Sequence, residues 1–198
     1  MVLAFAVIAG LVAGLARAWL GKRSYRIVSV RLPGLVLFAF IPQLISFYLA
    51  RAGIRIPGEW APVVLVSSQV LLLLFVWLNW KQPGFWLLGA GLLLNFLVIV
   101  LNGGLMPISP ETVRKIYPTV PETAWSVGKR LGNGKDIVLP VSATRMWFLS
   151  DRFLLPDWIH YPVAFSAGDV FIALGAFWLL WSLGGEKKDA VVNSQLSQ

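Results

Sequence analysis

The sequence predicts an all-α integral membrane protein with about five transmembrane helices and a structured extracytoplasmic region between the fourth and the fifth. Three observations predict it. Of 198 residues, 58% are hydrophobic and 13% charged, against roughly half and about a quarter in soluble domains, and the mean hydropathy is +0.75. The apolar residues gather in five runs near the ~20 residues that cross about 30 Å of hydrocarbon. The cations, which give a net charge of +8, flank those runs as topology determinants do. Backbone groups in lipid must be satisfied within their own segment, so the runs are read as helices.

The first run covers about residues 2–20. No basic residue precedes it and Arg17 follows, the wrong charge order for a secretory signal despite Ala16 and Ala18; it is read as a retained helix. Ala6, Gly10, Gly14 and Ala18 recur every four residues along it, a small-residue stripe that lets helix backbones approach. Packing within the chain and docking of a second copy or a partner subunit both fit that stripe. The second run covers about 32–50, with Pro33 near its start. The third, about 61–80, carries Pro62 in its first turn, where a missing N–H costs least. The fourth covers about 85–102 and ends in "LNGGLMPISPE". There Gly103 or Gly104 takes the left-handed conformation that closes a helix, and Pro107 blocks its resumption. Ser109-Pro110-Glu111 then starts a short helix over about 110–117.

Residues 103–165 form the outer region. Gly132-Asn133-Gly134 reads as a turn and Asp136–Val141 as an extended piece. Residues 144–162 are rich in aromatics but broken by charges and prolines, so they are expected on the outer interface or folded over the helices. The fifth run covers about 166–183, with Ser166 or Asp169 as its cap. Residues 1–183 thus make one polytopic domain, and 184–198 a flexible polar tail.

Arg17, Lys22, Arg23, Arg26 and Arg31 surround the first loop without an acid, Lys81 lies in the third, and Lys187 and Lys188 follow the last helix. Arg51 and Arg55 lie in the second loop. The balance places the first and third loops and the C-terminus in the cytoplasm of a bacterial inner membrane, with the N-terminus outside. The expected partners are the bilayer and its anionic lipids, not nucleic acid. Trp19, Trp60, Trp80, Trp86 and Trp181 fall near segment ends, as an interfacial belt does.

The chain has no cysteine and one histidine, His160. Thiolate metal sites, iron–sulfur clusters and bis-histidine haem are thereby excluded, and neither a metal nor a cofactor is expected. No nucleophile elbow, phosphate-binding loop or zinc-protease motif is present. Gln43, Gln69 and Asn95 lie near segment centres, and Asn102 follows Asn95 by one heptad. Amides in hydrocarbon cost free energy unless paired, so they are expected to meet as an interhelical lock or as the lining of a polar cavity. Asp169 is the one carboxylate in an apolar run. It is expected to converge with Asn102 and with Arg145 or Asp151 at the outer mouth of the bundle, with Arg145 or Arg152 as its counterion. Asp169 and Asp151 are the two acids that catalysis would draw on.

The stretches "LNFLVIVLNGGLMPISPE", "TRMWFLSDRFLLP" and "FSAGDVFIALGAF" resemble an uncharacterised bacterial membrane family, domain-of-unknown-function family 5317; "AGLVAGLARAWL" is similar more loosely. The resemblance implies a multi-helix membrane protein and no activity. The run from Pro118 to Ile137 departs most from the pattern and is assigned no functional residue. The expected function is that of a non-enzymatic accessory or scaffold subunit of a bacterial membrane complex. The alternatives are a small transporter or ligand-binding protein built on the amides, and an enzyme acting on a lipid headgroup at the outer face.

Overall fold

The computed structural model describes residues 2–25, 29–48, 57–156, 158–159 and 163–185. Arg26, Arg51, Arg55, His160, Lys187, Lys188 and the tail from 186 lie outside the described residues. The described chain is mostly helical, with six α-helices, two small two-stranded sheets and no barrel. The helices are α1 (Val2–Leu20), α2 (Gly34–Gln43), α3 (Ala61–Leu78), α4 (Phe85–Leu101), α5 (Pro110–Ile116) and α6 (Ala167–Ser182). Two stretches, Val2–Leu20 and Gly58–Leu78, are long and apolar enough to cross a membrane; the apolar stretches Gly34–Phe47, α4 and α6 are shorter.

The five long helices pack in the spatial order α1–α6–α4–α3–α2. The last helix in sequence therefore sits inside the row, between α1 and α4. α6 runs parallel to α1, with Gly10 against Phe177 and Gly14 against Leu180. It runs antiparallel to α4, where Gly91 meets Gly168 and Gly84 meets Gly175 backbone to backbone. The small-residue face of α1 that carries Gly10, Gly14 and Ala18 is buried against α6, so docking of a second copy through that face is replaced by packing within the chain. The remaining faces of α1 expose Phe5, Ile8, Val12 and Leu15. At the far edge, α2 exposes Leu37, Phe38 and Phe40.

The second helix departs from its expected span of 32–50. α2 stops at Gln43, and Leu44–Tyr48 continue as a π-helical turn. The cause is Pro42 inside the helix: its ring lacks an N–H and crowds the carbonyl four residues back, which opens the ladder by one residue. The start of α2 is fixed instead by Asn79 at the end of α3. Its Oδ1 accepts from the Arg31 backbone N–H (2.7 Å) and its Nδ2 donates to the Arg31 carbonyl (3.0 Å).

The stretch after α4 also differs from a plain corner. Gly103 and Gly104 both take positive φ, 84° and 85°, and end the helix. The chain then turns inward as β1 (Met106–Ile108), whose three residues are all buried. β1 pairs in parallel with β2 (Asp136–Val138), so the expected extended piece is one half of a sheet. Because β1 exists, the region is not purely helical. Ser109 caps α5 by accepting from the Thr112 N–H at 3.2 Å. β3 (Phe153–Leu154) pairs antiparallel with β4 (Ala164–Phe165) just ahead of α6. Two apolar clusters hold these pieces down. Met106, Leu105 and Leu149 join Leu65, Val98 and Ile99 of α3 and α4. Ile108, Val113, Ile116 and Val138 form a separate core under the loops.

The two glycines of the corner are not equivalent. A Cβ on Gly103 meets nothing within 4 Å, whereas one on Gly104 falls 2.6 Å from Pro62 Cβ. Asparagine tolerates the left-handed region, so Gly103→Asn is expected to cost less than about 1 kcal/mol. Gly104→Asn should cost about 1–3 kcal/mol more, as overpacked sites do. Thermal unfolding of the two purified variants measures the difference.

Candidate functional site

Asn95, Ser166 and Asp169, with Lys135, Asp136 and Asp151 of the loops, lie where residues 103–165 meet α4 and α6. Ser166, fully buried, is the N-cap of α6 and forms a capping box with Asp169. Ser166 Oγ accepts from the Asp169 N–H (3.0 Å), and Asp169 Oδ2 accepts from the Ser166 N–H (3.0 Å). Asn95, one α4 turn beyond Gly91, completes the joint. Its Nδ2 donates to Asp169 Oδ1 (3.0 Å) and its Oδ1 accepts from Ser166 Oγ (2.8 Å). The amide fits there because residue 168 is glycine: a Cβ would land on Asn95 Oδ1. Every hydrogen-bonding atom of this buried joint has a partner, the condition under which a polar network stabilises rather than strains.

Beside it lies the second part of the site. Lys135 Nζ donates to Asp136 Oδ1 (2.9 Å) and to Asp151 Oδ2. Asp151 is held by a β-bridge to Ile108, its N–H donating to the Pro107 carbonyl (3.1 Å). Its carboxyl is buried, and Oδ1 has no hydrogen-bond partner among the described residues. Burial pushes the Asp151 carboxyl up to about 8, against the pull of Lys135, and the fields of Asp136 and Asp169 push the same way. Solvent reaches the Lys135 side chain, 43% accessible, which screens its attraction. The orphan oxygen also favours the neutral form, since an unpaired buried carboxylate oxygen is costlier than an unpaired carbonyl. For Lys135 itself, burial disfavours the ammonium, but attraction to Asp136, Asp151 and Asp169 outweighs it and raises the pKa.

Among the described residues no three histidine, cysteine or acidic side chains are arranged to hold a metal ion. The ammonium of Lys135 takes the place a cation would have among the acids. A cleft of about 640 Å³ lies alongside, walled by Phe47, Tyr117, Trp125 and Leu131, and it reaches the acids through Asp136. Ser166 Oγ is spent on Asn95 and on its own helix cap. The groups described can hold and move a proton, and they can fix helices.

The expected meeting of Asp169 with Asp151 is not a direct contact: Asp169 bonds Asn95 and Ser166, and Asp151 bonds Lys135. The other expected meetings take different forms. Asp169 pairs with Asn95 and Ser166, not with Asn102, Arg145 or Arg152. Asn102 instead ties down the loop. Its Oδ1 accepts from the Arg145 N–H (2.9 Å) and its Nδ2 donates to the Arg145 carbonyl (2.9 Å), while the Arg145 side chain is exposed. The amides do not meet as one cluster. Gln43 Nε2 donates to Ser68 Oγ (2.5 Å) at the α2–α3 joint, Asn95 serves the α4–α6 joint, and Gln69 is buried with Oε1 unpartnered among the described residues. Lys135 and Asp136 were not anticipated. They come from the stretch 118–137, and the only signal for them was the Asn133-Gly134 turn that delivers them to β2.

The model of a family of unknown function, DUF5317, matches residues 27–181. The chain belongs to this family. The matched stretch of the DUF5317 chain contains both halves of the site and every long helix except α1. No curated protein and no solved structure matches the chain.

The raised pKa of Asp151 sets a pH dependence. In the unfolded chain its carboxyl titrates near 4, and in the folded chain near 8. Between these values the folded state holds the extra proton, so stability is greatest at the acid end and falls as pH rises. Melting temperature is expected to fall from pH 5 to pH 8. Asp151→Asn, isosteric with the protonated acid, should flatten that slope at little cost near neutrality.

Proposed function

We propose that the chain is a multi-pass protein of the bacterial cell membrane, with five crossing helices, and that it acts as a non-enzymatic accessory or scaffold subunit. The observation that carries the membrane reading is the separation of charge between the two ends of the helix row. One end consists of residues 17–25, 29–34, 78–85 and 181–185. It holds Arg17, Lys22, Arg23, Arg31 and Lys81 and, among the described residues, no acid. The opposite end holds Glu59, Glu111, Glu122, Asp136, Asp151 and Asp169 together with its cations. The cations of the basic end lie in short loops or beside helix ends, where they orient a membrane chain, whereas those of the opposite end lie mostly in the long region 103–165. In this reading the basic end is cytoplasmic, and the N-terminus and residues 103–165 are outside.

Large apolar side chains exposed on all five helices of the row support the same reading, because soluble monomers seldom expose patches beyond a few hundred Å². The helices shorter than α1 and α3 are accommodated by local thinning of the bilayer.

The scaffold reading rests on how the amides are spent. Gln43, Asn79, Asn95 and Asn102 each bond across a joint between elements, so these four act as locks. This favours a fixed platform over a transporter. α1 touches the rest of the row through α6, and its other faces offer an apolar surface to a partner membrane subunit or a second copy.

The absence of native cysteine makes the topology directly measurable. Lys129→Cys is expected to react with an impermeant maleimide on intact cells, and Lys81→Cys only after the membrane is opened. The reverse pattern, or equal labelling, contradicts the assignment. The scaffold role requires a stoichiometric membrane partner after extraction in gentle detergent; a chain that always runs alone contradicts it.

A further inference from the structure

At the basic end of the row, α1 closes with a motif that carries the wrong residue for its backbone. The Arg23 N–H donates to the Ala18 carbonyl (2.8 Å) and the Lys22 N–H to the Trp19 carbonyl (3.2 Å). This is the paired closure in which the residue after the cap turns left-handed, a position that glycine fills by preference. Here that residue is Lys22, with φ 49°, while the glycine of the stretch, Gly21, sits one place too early. A lysine held in this region is strained relative to glycine, and such outliers persist where the side chain has a use.

The surroundings state what the use is. Ala18, Trp19, Leu20, Lys22 and Arg23 line an open cleft of about 550 Å³. Trp19 is 81% exposed beside it. Arg23 is held in place by an NH1 donation to the Gly185 carbonyl (2.6 Å), which leaves a guanidinium with further donors. Arg17 stacks on Trp181 at 4.2 Å from the ring centroid, so a third cation is fixed at the same end. The cleft therefore offers two cations, an aromatic of the interfacial kind and an apolar wall continuous with the side of α1.

We infer that Lys22 and Arg23 form a binding site for a phosphate group, supplied by an anionic phospholipid headgroup or by a free phosphate. The inference rests on the membrane reading above for the lipid source. The competing account is that the cations only offset the carbonyl ends of α1 and α6. The two accounts disagree about Lys22→Gly. Glycine is the better cap, so a purely structural lysine should be replaced without loss. A lysine retained for its ammonium should cost binding while the fold is kept.

The full chain in a mild non-ionic detergent is titrated with phosphatidylglycerol, phosphatidylcholine and inorganic phosphate, followed by native mass spectrometry. The wild type is expected to prefer phosphatidylglycerol. Lys22→Gly should weaken that binding about fivefold, the share of one cation near an anionic headgroup, and should melt no earlier than the wild type. Lys22→Arg should retain binding, and so should Lys115→Gln at the opposite end. Competition by inorganic phosphate marks a site for the phosphate group itself; its failure to compete marks a site that needs the lipid. Equal affinity for the two lipids, or unchanged phosphatidylglycerol binding in Lys22→Gly, overturns the inference. Release of the chain from membranes by alkaline carbonate would overturn the membrane reading instead, and leaves the phosphate titration to be judged on its own.

Discussion

The rest of the structure depends on how α6 is seated between α1 and α4. The helix arrives last in sequence and is inserted between α1 and α4. It can do so because glycines line both joints, on α6 and α4 at one and on α1 at the other. Gly168 and Gly175 meet Gly91 and Gly84 on α4, and Phe177 and Leu180 receive Gly10 and Gly14 of α1. Such surfaces attract by packing alone and fix neither depth nor direction. The polar joint of Asn95, Ser166 and Asp169 at the N-terminal end of α6 supplies what the glycines lack. It sets where along α4 the helix begins, and with that the position of α1.

The same joint ties the loop region to the helices. β3 and β4 lead directly into Ser166, and Asp151 lies between that hairpin and buried β1. The charges of Lys135, Asp136, Asp151 and Asp169 thus sit where a shift of α6 would be felt at once. A neutral Asp151 removes one negative charge from a group that holds a single ammonium. The site locks the helical row to the folded loop region.

Much of this was legible in the sequence. The apolar runs fixed α1, α3, α4 and α6 to within a few residues, because a run of that length with flanking cations leaves little choice of secondary structure. Ser109 and Ser166 announced their helices through the capping chemistry they carry. Pro42 was overlooked inside an otherwise continuous apolar run, and its π-turn shortened α2. β1 was hidden because Leu105–Ile108 follow two glycines and contain a proline, a pattern that reads as loop; only pairing with a strand thirty residues later makes it a strand. The amides were identified individually but not their partners. Hydrogen-bond partners depend on helix order, and nothing local in the sequence places α6 between α1 and α4. Lys135 was invisible for the same reason.

The account stands or falls on the coupling between α4 and α6. A double-mutant cycle on Asn95→Ala and Asp169→Asn, read by thermal or denaturant unfolding of the purified chain, measures it directly. The predicted coupling energy is about 0.6–1.7 kcal/mol, the range found for polar contacts between helices in membranes. Additive effects of the two substitutions would contradict the account, since they would mean that Asn95 and Asp169 do not hold the helices together.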